Sequence, residues 1–396
     1  MESGVAGVPL QSNVTKPSTA AALKRLTAAS VAVAVVAWSL LAIRGEFQVG
    51  WLGGYDGLLD VAFIAGLAGI ASSWSVERWG TSRVTAVAVR VAVAAFSTAV
   101  TLVVAEFGVR YVFRDVRSSA DGRTFFARRD RPSIVVNSLG FRDREIGAKN
   151  SNRYRIAIVG DSFTWGQGIE DRERFSNLLG ASLGPQYEVL NFGIPGHDLP
   201  EHVEALGQVL QMSPDFVLLQ LYINDFETPA MSRPAARPLL PWTTLDYWLL
   251  RSSAFYDLLN ETWGQVQEGS GMVESYAHYM ERNLRDPNSA HSRQAFGLLT
   301  QFIERARAAG VPSGTVLFPN PGFLSRNYQF GYLHDRVRTV CVDQRIRCLD
   351  LRGPFAGSFP NPQAMWVSRF DPHPNARANS RAAEEILAAF RDYWHR

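Results

Sequence analysis

The sequence predicts an α/β domain built on an open parallel sheet and preceded by an α-helical membrane region. Three observations lead there. Residues 26–109 are strongly apolar, whereas residues 115–396 have the mixed composition of a water-soluble domain. From about residue 150, short β-rich runs alternate with helix-like stretches, the βαβα order that lays helices on both faces of a parallel sheet. The run Phe216–Ile223 (FVLLQLYI) is almost continuously apolar, as a central strand covered on both faces requires.

Residues 1–23 are rich in Ser, Ala, Thr, Val and Gly without periodicity and read as a disordered tail. Residues 24–112 read as a transmembrane region of about three helices. Lys24 and Arg25 precede Leu26–Ile43, long enough for a tilted helix or a thin membrane. A signal peptide is the competing reading, but no small-x-small cleavage site follows and further apolar segments do. The second segment, Trp51–Trp74, carries Asp56 and, deeper, Asp60; the third, Val84–Val109, carries Arg90 and Glu106 near its ends. An intramembrane carboxylate is costly unless paired or near the rim, so Asp60, Arg90 and Glu106 are read as pairing or reaching the interface. Lys16, Lys24 and Arg25 place the N-terminus in the cytoplasm, and the first loop holds only Arg44, against Arg78 and Arg83 in the second. Three spans then put the large domain outside the cytoplasm, although Arg110, Arg114 and Arg117 pull the other way.

After a linker and lead-in segment (113–149), the strands are expected at Arg155–Val159, Tyr187–Asn191, Phe216–Ile223, Thr315–Phe318 and Ile346–Leu351. Helices are expected at Arg172–Leu183, Leu199–Gln211, Ser292–Ala309 before Gly310, His334–Val342, and Ala376–Trp394 with Asn375 as its cap. Residues 226–290 interrupt this alternation with many Pro and aromatic residues and read as a long insertion over or beside the site.

Composition narrows the function. A net charge of +3 over 396 residues, with no Lys/Arg stripe interleaved with aromatics, excludes a nucleic-acid-binding surface. Two cysteines, Cys341 and Cys348, exclude a disulfide-dense scaffold and make a poor zinc site; they could close a small loop or stay as buried thiols.

In open α/β sheets, ligands sit beyond the carboxyl ends of the strands. Three strand-end loops hold the unusual residues: Gly160-Asp161-Ser162, Asn191-Phe-Gly-Ile-Pro-Gly196 and Ile223-Asn224-Asp225. A fourth cluster, Asp371-Pro-His373-Pro-Asn375, lies just before the last helix. A single Gly-Asp-Ser would mean only a turn. Four blocks in this order resemble the SGNH, or GDSL-type, hydrolase superfamily over roughly residues 135–396.

The resemblance implies a flavodoxin-like three-layer fold over residues 150–396, no metal and no organic cofactor. It also implies a serine esterase or acyltransferase working through an acyl-enzyme. Ser162 would be the nucleophile, which needs an adjacent base, and His373 is the best placed of the histidines, with His197 and His202 as alternatives. The oxyanion donors implied are the Ser162 and Gly196 backbone N–H groups and the Asn224 side chain. Glycine at 196 would allow close approach to the oxyanion. Asp371 would orient His373, although the usual spacing is three residues rather than two, which leaves Asp350 as a substitute. Asp161 and Asp225 read as loop-fixing carboxylates.

Trp165 and Trp366 are candidate substrate-wall residues that could stack on sugar rings, so an ester of an envelope glycan or glycolipid is the expected substrate, with a lipid ester as the other choice. The alternative function is an inactive glycan-binding or assembly module of the same fold. A missing Ser, Asn or His would mark it, and all three are present.

Overall fold

The computed structural model describes residues 83–114, 124–126, 134–322, 324, 328–359 and 361–394, with residues 28, 31, 32 and 70. The chain divides into two compact units, Met1–Val112 and Phe113–Arg396.

In the first unit the helix Arg83–Val112 is described. Its part Arg90–Val112, 23 residues, is long and apolar enough to cross a membrane. At the α-helical rise it spans about 35 Å, against a hydrocarbon core of about 30 Å. Glu106 and Arg110, one turn apart, pair at 2.6 Å. The expected tail at 1–23 and the spans at 26–43 and 51–74 lie outside the described residues, apart from the four isolated positions.

The second unit is a five-stranded parallel sheet of β1 (Tyr154–Gly160), β2 (Tyr187–Gly193), β3 (Phe216–Leu221), β4 (Ser313–Leu317) and β5 (Arg347–Asp350), in the order β2-β1-β3-β4-β5. Successive side chains of a strand point to opposite faces, and here both faces are covered. Ala157, Val159, Val217 and Leu219 pack against apolar residues of the helices Leu199–Gln211, Ala290–Ala308 and Gly331–Gln344. Ile156, Ile158, Phe216 and Leu218 pack on the other face against Phe175–Leu183, Arg352–Ser358 and Ala376–Trp394. The result is a three-layer α/β/α domain whose strands all end at one edge.

Local signals explain where elements stop. Asp198 and Glu201 form a reciprocal capping box at the start of Leu199–Gln211. Asn375 Oδ1 accepts the Ala378 N–H at 3.1 Å and caps the last helix. The expected strand Phe216–Ile223 is shorter than its apolar run, because the Asp225 carboxylate accepts the Tyr222 N–H at 2.7 Å and turns Ile223–Phe226 into a 3₁₀ turn. Residues 226–290 contain three helices, Thr243–Ser252, Ala254–Gly269 and Tyr276–Leu284. A short antiparallel pair of β6 (Trp366–Ser368) and β7 (Asp371–Pro374) precedes the last helix.

Candidate active site

β1 ends at Gly160, and the chain turns at once into the single helical turn Ser162–Trp165. Asp161 caps that turn, its carboxylate accepting the Phe163 N–H at 2.8 Å. From β3, Gln220 Oε1 braces it further, accepting from Asp161 N–H, Thr164 N–H and Thr164 Oγ1 at 3.2, 3.2 and 2.7 Å. A Cβ at Gly160 would fall into Thr164 Oγ1 and Gln220 Oε1, so only glycine lets the strand pass beneath this turn. Ser162 is thereby fixed at the carboxyl edge of the sheet.

β7 brings His373 to the same edge. Its Nε2 lies 2.9 Å from Ser162 Oγ, and its Nδ1 lies 2.5 Å from Asp371 Oδ1. Asp371 also accepts the His373 backbone N–H at 3.1 Å, so the two-residue spacing folds both groups onto one local turn. Phe163 packs edge-on against the imidazole, ring centroids 5.5 Å apart. Asp350, the substitute orienter, is engaged elsewhere: it lies 2.8 Å from His334 Nδ1 and accepts the Arg352 N–H. His202, an alternative base, is buried with Nε2 3.4 Å from Asp225, and His197 stands 6.3 Å from it, ring to ring.

Gly196 and Asn224 stand on the loops that follow β2 and β3, the two neighbours of β1. Glycine at 196 also answers a backbone requirement. Its φ is +78°, in the left-handed region, while a Cβ there would meet nothing within 4 Å. That backbone conformation favours glycine, and the space beside it is free of neighbouring protein atoms among the described residues. Gly193, like Gly160, is crowded: a Cβ there would strike the backbone of Thr164 and Trp165. Of the two tryptophans, Trp366 lines a cavity of about 600 Å³ beside Pro372, with Tyr222, Asn320, Gln363 and Phe370. Trp165 is half-buried and does not line it.

Beneath the turn lies a cluster of buried acids. Burial, reinforced by neighbouring Asp225, pushes the Asp161 carboxyl up to about 7, and burial pushes Asp225 well above the usual carboxylate range. Burial drives the His202 imidazole the opposite way, towards its neutral form. Cys341 and Cys348 are free thiols, both within hydrogen-bond reach of Thr315 Oγ1 at 3.2 and 3.1 Å. Among the described residues, no group of three His, Cys, Asp or Glu side chains is arranged to hold a metal ion.

Two arginines escaped the sequence reading. Arg142, in the segment read as a lead-in, is fully buried. Its guanidinium donates to the carbonyls of Trp165, Gly166 and Ile169 at 3.3, 2.6 and 2.9 Å, clamping the loop that follows Ser162. Arg174, equally buried, donates to the Arg142 carbonyl. Two buried cations with carbonyl partners leave no motif; the only sequence signal is the Arg-rich stretch around each.

Residues 158–381 match the GDSL-like lipase/acylhydrolase family. No curated protein matches the chain. Among solved structures, the chain is similar to TesA, at 17% identity over 60% of this chain and 98% of that one, with a TM-score of 0.38. It is similar to the psychrotrophic esterase EstA from Pseudoalteromonas sp., at 14% identity over 61% and 100% of the two chains, with a TM-score of 0.35. A carbohydrate acetylesterase family member from Sinorhizobium meliloti is also similar, at 14% identity over 60% and 97%, with a TM-score of 0.36.

Proposed function

We propose that this chain, which belongs to the GDSL-like lipase/acylhydrolase family and is therefore an esterase or acylhydrolase, works as a serine enzyme through an acyl-enzyme on Ser162. The observation that carries this reading is the linear Ser162–His373–Asp371 chain, at 2.9 and 2.5 Å. His373 Nε2 takes the Ser162 proton as Oγ attacks the ester carbonyl. The Asp371 carboxylate holds the proton on Nδ1, fixes the tautomer and stabilises the imidazolium that forms. The Ser162 and Gly196 N–H groups and the Asn224 amide receive the negative charge of the tetrahedral intermediate. As that intermediate collapses, His373 returns the proton to the departing alcohol. The acyl group then passes to water, or to a second alcohol in a transfer reaction.

The remainder of the reading concerns place and substrate. The apolar helix Arg90–Val112 supports a membrane anchor; the multi-pass arrangement with the large domain outside the cytoplasm rests on the apolar segments and loop charges of the sequence alone. Trp366 on the cavity wall supports an ester of an envelope glycan or glycolipid. A serine-reactive fluorophosphonate tests the chemistry: it should label the wild-type chain and fail on Ser162→Ala, and labelling that persists in the variant refutes the assignment. A periplasmic-type reporter fused to the C-terminus should be active; activity of a cytoplasmic reporter alone reverses the topology.

A further inference from the structure

The inserted helix Ala254–Gly269 reaches the cavity beside the triad: Glu261 and Gln265 line it together with Asn320, Gln363, Arg369 and Trp366. Pro372, between the two proposed catalytic residues Asp371 and His373, forms another part of the same wall. So does Tyr222, whose ring packs 4.4 Å from that of Phe163, next to Ser162. A group bound here therefore adjoins the reacting ester.

The wall is set up for hydroxyl groups. Glu261 Oε1 accepts from Gln265 Nε2 at 3.3 Å, and Arg369 on the same wall attracts the carboxylate through space, but among the described residues neither the buried Glu261 Oε2 nor Trp366 Nε1 has a hydrogen-bond partner. One is an acceptor and the other a donor. A buried polar atom left without a partner is costly, so both atoms call for one. A hydroxyl, which donates and accepts, answers either; an acyl chain answers neither and would also bury the three carboxamides of Gln265, Asn320 and Gln363. Asn320 is held in place: its N–H donates to Tyr328 Oη at 2.8 Å, and Tyr328 Oη lies 3.1 Å from the buried His334, which Asp350 anchors in turn. The volume, about 600 Å³, falls in the range of small-molecule sites.

We propose that this cavity holds the polyhydroxylated, sugar-like alcohol portion of the ester, and that Glu261 and Gln265 of the inserted helix are its specificity-determining residues. The inference rests on the serine-esterase reading for its place in the reaction, but not for the binding itself. Two measurements on the full-length chain in detergent separate them. In the first, kcat/KM is compared for 6-O-acetyl methyl glucoside and 4-nitrophenyl acetate, which share an acyl group. The ratio of the two should fall about tenfold in Glu261→Leu and again in Glu261→Leu/Gln265→Leu, one lost hydrogen bond being worth about that factor. A ratio that stays at its wild-type value in the double variant overturns the proposal, as does a wild-type preference for 4-nitrophenyl decanoate over 4-nitrophenyl acetate that the same double variant abolishes. In the second, calorimetry follows the same acetyl glucoside binding to Ser162→Ala. Binding that is weakened at least tenfold by adding Glu261→Leu supports the cavity assignment even if no ester is turned over, an outcome that would sink the esterase reading alone. Binding that is absent, or indifferent to Glu261→Leu, sinks the cavity assignment alone.

Discussion

Replacing Arg142 by Met should loosen the loop after Ser162 without touching any reacting atom. The guanidinium is fully buried and gives three hydrogen bonds to carbonyls on both sides of the turn at Gly166. Its Nε also lies 2.8 Å from Asp171 Oδ1, an ion pair by distance that lacks hydrogen-bond alignment. Hydrogen bonds to charged groups are worth about 1.5–3 kcal/mol each, so three would suggest a large loss. Two effects reduce it: the cation's own desolvation cost disappears with it, and Asp171 is half-exposed, so solvent screens that contact. The net expectation is about 3–5 kcal/mol, the range found when one partner of a buried charged network is removed. A domain of ordinary stability, about 5–15 kcal/mol, survives that loss at low temperature. Melting of the full-length chain in detergent should drop by roughly 10 °C, at about 2–4 °C per kcal/mol. At a temperature where the variant is fully folded, ester turnover should still fall at least tenfold, because a displaced nucleophile loses its alignment with His373. Arg142→Lys keeps the charge but not the planar fork and should lose nearly as much. A Met variant that melts within 2 °C of wild type and turns over at full rate would refute the clamp.

Two further substitutions probe the proposed triad and oxyanion site. Asp371→Asn keeps the size but favours the wrong His373 tautomer, so steady-state ester turnover should fall by about 10³–10⁴; a nearly silent variant would require another orienter. Asn224→Ala should cost about 10²–10³ in kcat with little change in KM, and near-wild-type kcat would remove Asn224 from the oxyanion site.

What could be read in the sequence was what is encoded locally. Leu199–Gln211 and Ala376–Trp394 have the expected ends because their caps, Asp198 with Glu201 and Asn375, lie within a few residues of them. Ser162, Asp371 and His373 were legible because each lies in a short block with a recognisable neighbourhood, and the structure brings the three together by direct contacts. Features that depend on distant partners were not legible. Arg142 looks like any surface arginine until its carbonyls, 23–27 residues away, are in place. The apolar character of Tyr222 and Ile223 continued the strand pattern, and only the Asp225 side chain revealed the turn. The inserted helices were hidden by the Pro and aromatic content of residues 226–290, where tertiary packing rather than composition decides the local structure.

Ser162 and His373 are 211 residues apart in sequence. During synthesis the loop of the proposed nucleophile therefore leaves the ribosome well before the proposed base. The last helix supplies the closure: Asn379 on it accepts the Phe175 N–H with one amide atom and donates to the Pro374 carbonyl with the other, tying β7 to the helix that follows the nucleophile's loop. Phe390 and Trp394 then bury themselves at the end of the chain. In the proposed mechanism, a chain that lacks β7 and this helix carries Ser162 without the base that activates it. In the proposed mechanism, the base thus joins the nucleophile only once β7 and the nineteen-residue helix Ala376–Trp394 have docked.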